Sequence, residues 1–229
     1  MSKKTIGILR TGYVGGKLAD NHGEFPEMFI DMLGAGSFDY RTYSVVDGEF
    51  PTSVDDCDAW IVTGSKHGAY EDHSWIPPLE EFIRKLADSS QPTVGICFGH
   101  QIMAQAMGGR VQKFDGGWGI GPQTYEEMDT GRTVTLLAFH QDQVLDCPPG
   151  AEITHRSDFC AIAGLRYSPT CFSLQPHPEH TRSFVEDLIA ERRGHLLPED
   201  VSVSALEKLA GGNDQDEYGK RIRDALGKS

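Results

Sequence analysis

Two short stretches of this chain hold residues whose types and spacing suit covalent chemistry. The first is Gly95-Ile-Cys-Phe-Gly-His-Gln101, in which Cys97 has one glycine two residues before it and another two after. This G-x-C-x-G spacing is the cysteine form of a nucleophile elbow, where a strand turns sharply into a helix. The turn is strained and crowded, so a side chain at either flanking position would collide with its neighbours. At the start of the helix, free backbone N–H groups and the helix dipole favour a thiolate. Alone, Cys97 reads equally well as a buried core cysteine at a strand end. The two glycines and the change from strand to helix favour the nucleophile.

The second stretch is Gln175-Pro-His-Pro-Glu-His180. Pro176 and Pro178 exclude helix and hold the segment extended. Residues i and i+2 of an extended chain share a face, so His177 and Glu179 point the same way. A carboxylate beside an imidazole fixes its tautomer and stabilises the imidazolium formed when the ring takes a proton. Alone, His-x-Glu is equally a solvated turn. His177 and His180 also allow a zinc reading, though no third and fourth ligand stands out nearby.

The elements that must position these groups are legible from hydrophobic periodicity. Thr93 to Ile96 is an apolar run that reads as a buried strand, and Ile102, Met103, Ala106 and Met107 recur at helical spacing after it. Gly108-Gly109 supplies the helix stop. Strands are expected at Thr5–Leu9, Tyr40–Val46, Ala59–Thr63 and Thr133–Phe139, with shorter ones at 153–155, 160–163 and 171–175. Helices are expected over Phe25–Leu33 and Trp75–Leu86, from Thr181 to about Arg193, and on the stripe Tyr218, Ile222, Ala225 and Leu226. Ser204 and Glu207 have the form of a capping box before a further short helix. Alternating strands and helices give an α/β fold with a mainly parallel sheet. Active sites of such sheets gather at the carboxyl ends of the strands. The loop Gly64-Ser65-Lys66-His67-Gly68 after the third strand can therefore supply an oxyanion donor beside the N–H of Phe98.

Other features narrow the function by exclusion. The segment from Arg10 to Lys17 resembles a phosphate loop, but its glycines are one residue too close and Leu18 replaces the magnesium-binding hydroxyl. It reads as a plain glycine-rich loop. A net charge of -13 with no dense Lys/Arg run argues against nucleic acid and anionic membrane partners. The 5 cysteines are odd in number and contain no CxxC pair, which argues against a disulfide framework or zinc knuckle and for a reducing compartment. The N-terminal residues are too poor in apolar groups for a signal-peptide core, and no run approaches the ~20 apolar residues of a membrane span. A cytoplasmic protein is expected.

With the elbow and the Pro-His-Pro-Glu segment in hand, the chain resembles a class I, triad-type glutamine amidotransferase. It is most similar to the glutaminase domain of GMP synthetases. The likeness runs from Val62-Thr-Gly-Ser65 through the elbow and His140-Gln-Asp-Gln-Val144 to Pro178-Glu179. It implies a flavodoxin-like three-layer α/β fold over residues 1–193, with residues 194–229 as a helical extension packed on the same domain. By position it implies Cys97 as nucleophile, His177 as base and Glu179 as its orienting partner. Phe98 and either Gly64 or Ser65 would form the oxyanion hole. Gln101 and the Gly117, Trp118, Gly119 and Ile120 backbone would hold the substrate. The loop reads Thr-Gly-Ser-Lys where many members have Ser-Gly-Gly-Pro. No cofactor and no metal is implied. The substrate would be glutamine or another γ-glutamyl small molecule. Three readings remain open: a glutaminase subunit feeding ammonia to a separate synthetase, a stand-alone γ-glutamyl hydrolase, and a non-catalytic binding or regulatory protein.

Overall fold

The structure, a computed structural model, describes residues 3–227. The parallel strands come first in the chain: β1 (Thr5–Leu9), β2 (Asp39–Tyr43), β3 (Ala59–Val62) and β4 (Thr93–Ile96). Helices α1 (Gly16–His22), α2 (Phe25–Leu33) and α3 (Ile76–Asp88) lie between them, and α4 (Phe98–Ala106) follows β4. The second half adds β5 (Arg110–Lys113), β6 (Gly119–Glu127), β7 (Thr133–His140), β8 (Asp142–Asp146), β9 (Glu152–Arg156), β10 (Gly164–Ser168) and β11 (Cys171–Leu174). Helices α5 (Arg182–Arg192), α6 (Glu199–Lys208) and α7 (Gln215–Gly227) complete the order.

One mixed sheet carries the fold, in the order β2-β1-β3-β4-β11-β10-β9-β6-β7, while β5 and β8 pair separately. The strands from β2 to β11 are mutually parallel, and the others join antiparallel. Strand alternation sends side chains to two helical layers. Leu9, Trp60 and Val62 pack with Leu79, Phe82, Ile83 and Leu86 of α3 and with Phe98 and Ile102 of α4. Ile6, Ile8, Ile61, Val94 and Ile96 pack on the other face with Phe29 and Leu33 of α2 and Tyr218, Ile222 and Leu226 of α7. This is the three-layer α/β architecture expected. A third core joins α5 and α6 to β6 and β7 through Leu137, Phe184, Ile189 and Ala205.

Local departures from expectation have local causes. The second strand stops at Tyr43, and Val45–Asp47 forms a 3₁₀ turn in which Gly48 N–H bonds the Val45 carbonyl. Residues 160–163 are not a strand: reciprocal bonds between Ser157 and Cys160 close the turn that leads into them, Ala161 and Ile162 turn again, and sheet-like bonding starts at Ala163, whose N–H donates to the His155 carbonyl at 2.9 Å. Ser204 does not cap a helix. It lies inside α6, which starts directly after Pro198, whose fixed φ pre-forms a helical start. The glycine-rich stretch after Phe114 enters β6 already at Gly119, and α1, β5, β8 and β10 had no clear periodic signature.

The C-terminal helix is tied to the sheet by charge. Glu127 at the end of β6 is buried and accepts hydrogen bonds from the Tyr218 hydroxyl, Arg221 and, at 2.8 Å, the Thr130 hydroxyl. Burial pushes its carboxyl pKa up, but these donors and the Arg221 charge outweigh it and hold the pKa at about 2. A depressed folded-state pKa contributes stability above the unfolded value of about 4.5 that is lost as pH falls toward 2. Glu127→Gln is therefore expected to lower stability near neutral pH by about 1–3 kcal/mol. It should also flatten the decline in Tm of the wild type between pH 5 and pH 3, which thermal melts across that range check.

Candidate active site

Cys97 stands between β4 and α4 at φ 54 and ψ -105, the only non-glycine residue with positive φ among the described residues. Such a conformation costs of order 1–3 kcal/mol and persists where the surroundings over-determine it. The flanking glycines are set by packing. A Cβ on Gly95 would lie 2.4 Å from Met103 Sδ and 2.6 Å from the Gly99 carbonyl oxygen, and one on Gly99 would lie 2.2 Å from the Val62 carbonyl oxygen. The collisions anticipated from the G-x-C-x-G spacing are thus present at both positions.

Strand β11 brings the second stretch to the same place. It pairs in parallel with β4, Leu174 opposite Ile96, and the Cys97 N–H donates to the Leu174 carbonyl at 2.8 Å. The chain therefore leaves the sheet beside the elbow. His177 and Glu179 meet at 2.7 Å between Nδ1 and Oε1, both buried, but the segment is not extended as expected: Pro178 and Glu179 form a turn, closed by the His180 N–H on the His177 carbonyl at 3.3 Å, and the turn brings the two side chains together. The carboxylate accepts the Nδ1–H, which turns the other ring edge toward the Cys97 side chain. Burial pushes the His177 pKa down. The Cys97 and Glu179 charges and the hydrogen bonds to both outweigh that, so the ring holds its proton more tightly than an ordinary histidine.

His180 stacks on His177 with ring centroids 3.8 Å apart and is flanked by Phe184. Neither of its ring nitrogens has a hydrogen-bond partner, and burial together with His177 lowers its pKa well below the usual range. It is a neutral plate against the imidazole. His177, Glu179 and His180 also offer donor atoms within 4.8 Å of one another. A metal bridging His177 and Glu179 would displace the proton between them.

The loop after β3 closes one side. A Cβ on Gly64 would sit 3.1 Å from His177 Cε1 and 3.8 Å from Cys97 Cβ, so its backbone lies against both. Thr11 fixes this loop: its hydroxyl donates to the Gly64 carbonyl at 2.9 Å, and its carbonyl accepts from the Ser65 hydroxyl at 2.7 Å. Phe98 begins α4 with its N–H among the unpaired donors of a helix start.

A cavity of about 480 Å³ opens over the elbow. Of the sequence-predicted residues, Cys97, His177, Ser65, Gln101 and Trp118 line it. Gly117, Gly119 and Ile120 do not. Gly119 is wedged against Phe159 and His140, and Ile120 is buried in the core beneath α5 and α6. Gln101 is held by bonds from its amide to the Asp142 carbonyl at 2.9 Å and Gln175 Oε1 at 3.2 Å. His140 lines the cavity as well, its Nδ1–H donating to the Asp142 carbonyl at 3.1 Å and its Nε2 unpartnered. Burial holds its pKa at about 3, so the ring is neutral.

One contributor escaped the sequence reading. Gln215, at the start of α7, donates from Nε2 to the His177 carbonyl at 2.6 Å and the His180 carbonyl at 3.0 Å. Its Oε1 accepts from the Leu137 N–H at 3.1 Å, and His177 N–H in turn donates to the Leu137 carbonyl at 2.7 Å. One amide thus pins the histidine loop to β7. A lone glutamine so far downstream carries no signal in the sequence.

Comparison with known proteins agrees with this architecture. The family model "Glutamine amidotransferase class-I" matches residues 18–192. The chain is 30% identical over 182 residues to gamma-glutamyl peptidase 4 of Arabidopsis thaliana, covering 73% of this chain and 72% of that protein. It is 27% identical over 170 residues to a glutamine-hydrolyzing GMP synthase subunit of Halobacterium salinarum, covering 71% of this chain and 87% of that protein. A glutamine amidotransferase structure from Methylobacillus flagellatus superposes with a TM-score of 0.75 at 20% identity, over 99% of this chain and 92% of that one. With a family model spanning most of its length and the matching three-layer fold, the chain belongs to the class I glutamine amidotransferase family.

Proposed function

We propose that the protein hydrolyses the γ-glutamyl amide bond of glutamine or a related γ-glutamyl compound through a glutamyl thioester on Cys97. The observation that carries this reading is a single imidazole, His177, hydrogen-bonded to a buried carboxylate and set with the elbow cysteine against Gly64 on one cavity wall. That is the nucleophile, base and orienter arrangement of covalent acyl transfer.

The Cys97 thiolate attacks the side-chain carbonyl carbon of the substrate. The Phe98 N–H and an N–H of the Gly64-Ser65 loop receive the oxyanion, where loss of one donor typically costs about 10² to 10³ in rate. As the C–N bond breaks, His177 gives its proton to the departing ammonia or amine. The same ring then takes a proton from water, whose oxygen attacks the thioester and releases glutamate. Glu179 keeps the ring oriented and balances its charge throughout. These steps need no metal and no cofactor.

The stand-alone reading is favoured by the cavity. At about 480 Å³ it has the size of a site for a ligand larger than glutamine, and its outer wall includes Val14, Leu18, Phe25 and Leu188. A γ-glutamyl substrate with a sizeable amine portion fits that space, and the gamma-glutamyl peptidase relative agrees with it. Delivery of ammonia to a separate synthetase is the second reading, supported by the GMP synthase relative. Turnover of glutamine measured against a series of γ-glutamyl amides, with and without a candidate synthetase, separates them. Higher kcat/KM on the larger amides, unchanged by partner, supports the first reading. Activity on glutamine alone that rises with the partner supports the second.

Residues 194–229 belong to the same functional unit in this proposal, because Gln215 holds the histidine loop. Among the described residues no helix is long and apolar enough to cross a membrane. The cysteines are all free, which fits a reducing, cytosolic setting. Gln215→Leu leaves the His180 carbonyl and the Leu137 N–H without their partner and the His177 carbonyl with only the His180 N–H at 3.3 Å, so a stability loss of about 1–3 kcal/mol is expected. Its mark on the reaction should be a fall in kcat of about 10-fold with KM little changed, read by steady-state kinetics on protein shown to be folded.

A further inference from the structure

We propose that His67, Glu71 and His73 form a binding site for a borderline divalent cation, zinc(II) in the first instance, on the rim of the catalytic cavity. The three side chains offer donor atoms within 4.8 Å of one another. Both imidazoles converge on one carboxylate oxygen: His73 Nε2 lies 2.7 Å and His67 Nδ1 3.5 Å from Glu71 Oε2. These separations bracket the ligand-to-ligand spacing of a tetrahedral zinc with metal–ligand bonds of about 2.0–2.2 Å. Two imidazoles and a carboxylate suit zinc rather than calcium or magnesium, which prefer oxygen alone.

The donors sit on a backbone that is already set. His67 N–H donates to Ser65 Oγ at 3.2 Å, Glu71 N–H to the Gly68 carbonyl at 3.1 Å, and His73 N–H to the Glu71 carbonyl at 3.0 Å. From α4, Gln105 Nε2 donates to the Ala69 carbonyl at 2.7 Å. The His73 ring stacks on Trp75 at 13°, which orients it. The side chains themselves are part-exposed, with Glu71 at 43%, so a cation reaches them from solvent and they can close on it. His67 and Glu71 also line the catalytic cavity, so a fourth position on the cation faces substrate entry. The site is distinct from the His177, Glu179 and His180 cluster, which is fully buried. It stands on the loop that begins with Gly64 and Ser65, so its occupancy stiffens the segment proposed to hold the oxyanion.

The test is a zinc(II) titration by calorimetry on full-length Cys97→Ser protein, which removes the competing catalytic thiolate. One equivalent should bind. The double substitution His67→Ala with His73→Ala, checked for folding by circular dichroism, should weaken binding by at least about 10-fold. His177→Ala in the same Cys97→Ser background should leave it unchanged. If the rim substitutions leave affinity intact, if binding disappears with His177→Ala, or if Cys97→Ser protein takes up no zinc, the proposal is overturned. The milder pair His67→Gln with His73→Gln decides the question in the same way should the alanine variant fail to fold.

Discussion

Replacing Cys97 by serine is expected to lower turnover of γ-glutamyl amides by at least about 10⁴-fold, while the same change at Cys57, Cys147, Cys160 or Cys171 leaves it within a few-fold of wild type. The contrast follows from environment. Cys97 alone sits on an elbow at a helix N-terminus, with the His177 imidazole on the same cavity wall. Burial pushes the thiols of Cys160 and Cys171 up to about 12, so neither supplies a thiolate near neutral pH. Burial raises the pKa of Cys57 and Cys147 as well. Serine keeps the shape of the side chain, and its hydroxyl is a far weaker nucleophile in a site arranged for a thiolate. Single Cys→Ser variants assayed side by side decide this.

The second large effect is expected at the His177–Glu179 pair, and its two members should differ. His177→Ala removes the group that moves both protons and is expected to cost about 10³ to 10⁴ in kcat. Glu179→Gln keeps the size and an acceptor for Nδ1–H but removes the charge that balances the imidazolium, so a loss nearer 10² is expected. KM should change little in either, because neither group is proposed to bind the substrate. The buried contact of 2.7 Å between Nδ1 and Oε1 underlies the expectation. A wild-type kcat in Glu179→Gln would leave a Cys-His dyad.

Much of this site is legible in the sequence because strong local rules act on it. The Gly95 and Gly99 spacing encodes close approaches that the folded chain contains, and the His-x-Glu spacing marks a pair that does meet, though through a turn at Pro178-Glu179 rather than through the extended alternation expected. The strand and helix around Cys97 follow from periodicity alone. What escaped has non-local causes. Residues 160–163 carry an apolar pattern fit for a strand, but a turn closed by Ser157 overrides it. Nothing in the sequence around Gly119 and Ile120, a backbone expected to hold substrate, marks a strand there. Their actual setting is a β6 strand packed against β7, with Phe159 occupying the space beside Gly119. Gln215 acts across the fold through three hydrogen bonds, and His67, Glu71 and His73 converge only through the loop's turns.

The central claim is that acyl transfer passes through Cys97. Mass spectrometry of protein acid-quenched during steady-state turnover of a γ-glutamyl amide tests it most directly. The account predicts a fraction of the chain heavier by one glutamyl group, with the adduct on the peptide containing Cys97 and absent from His177→Ala protein given the same exposure. Turnover with no adduct at Cys97 under conditions that trap the intermediate, or an adduct on another residue, would contradict it.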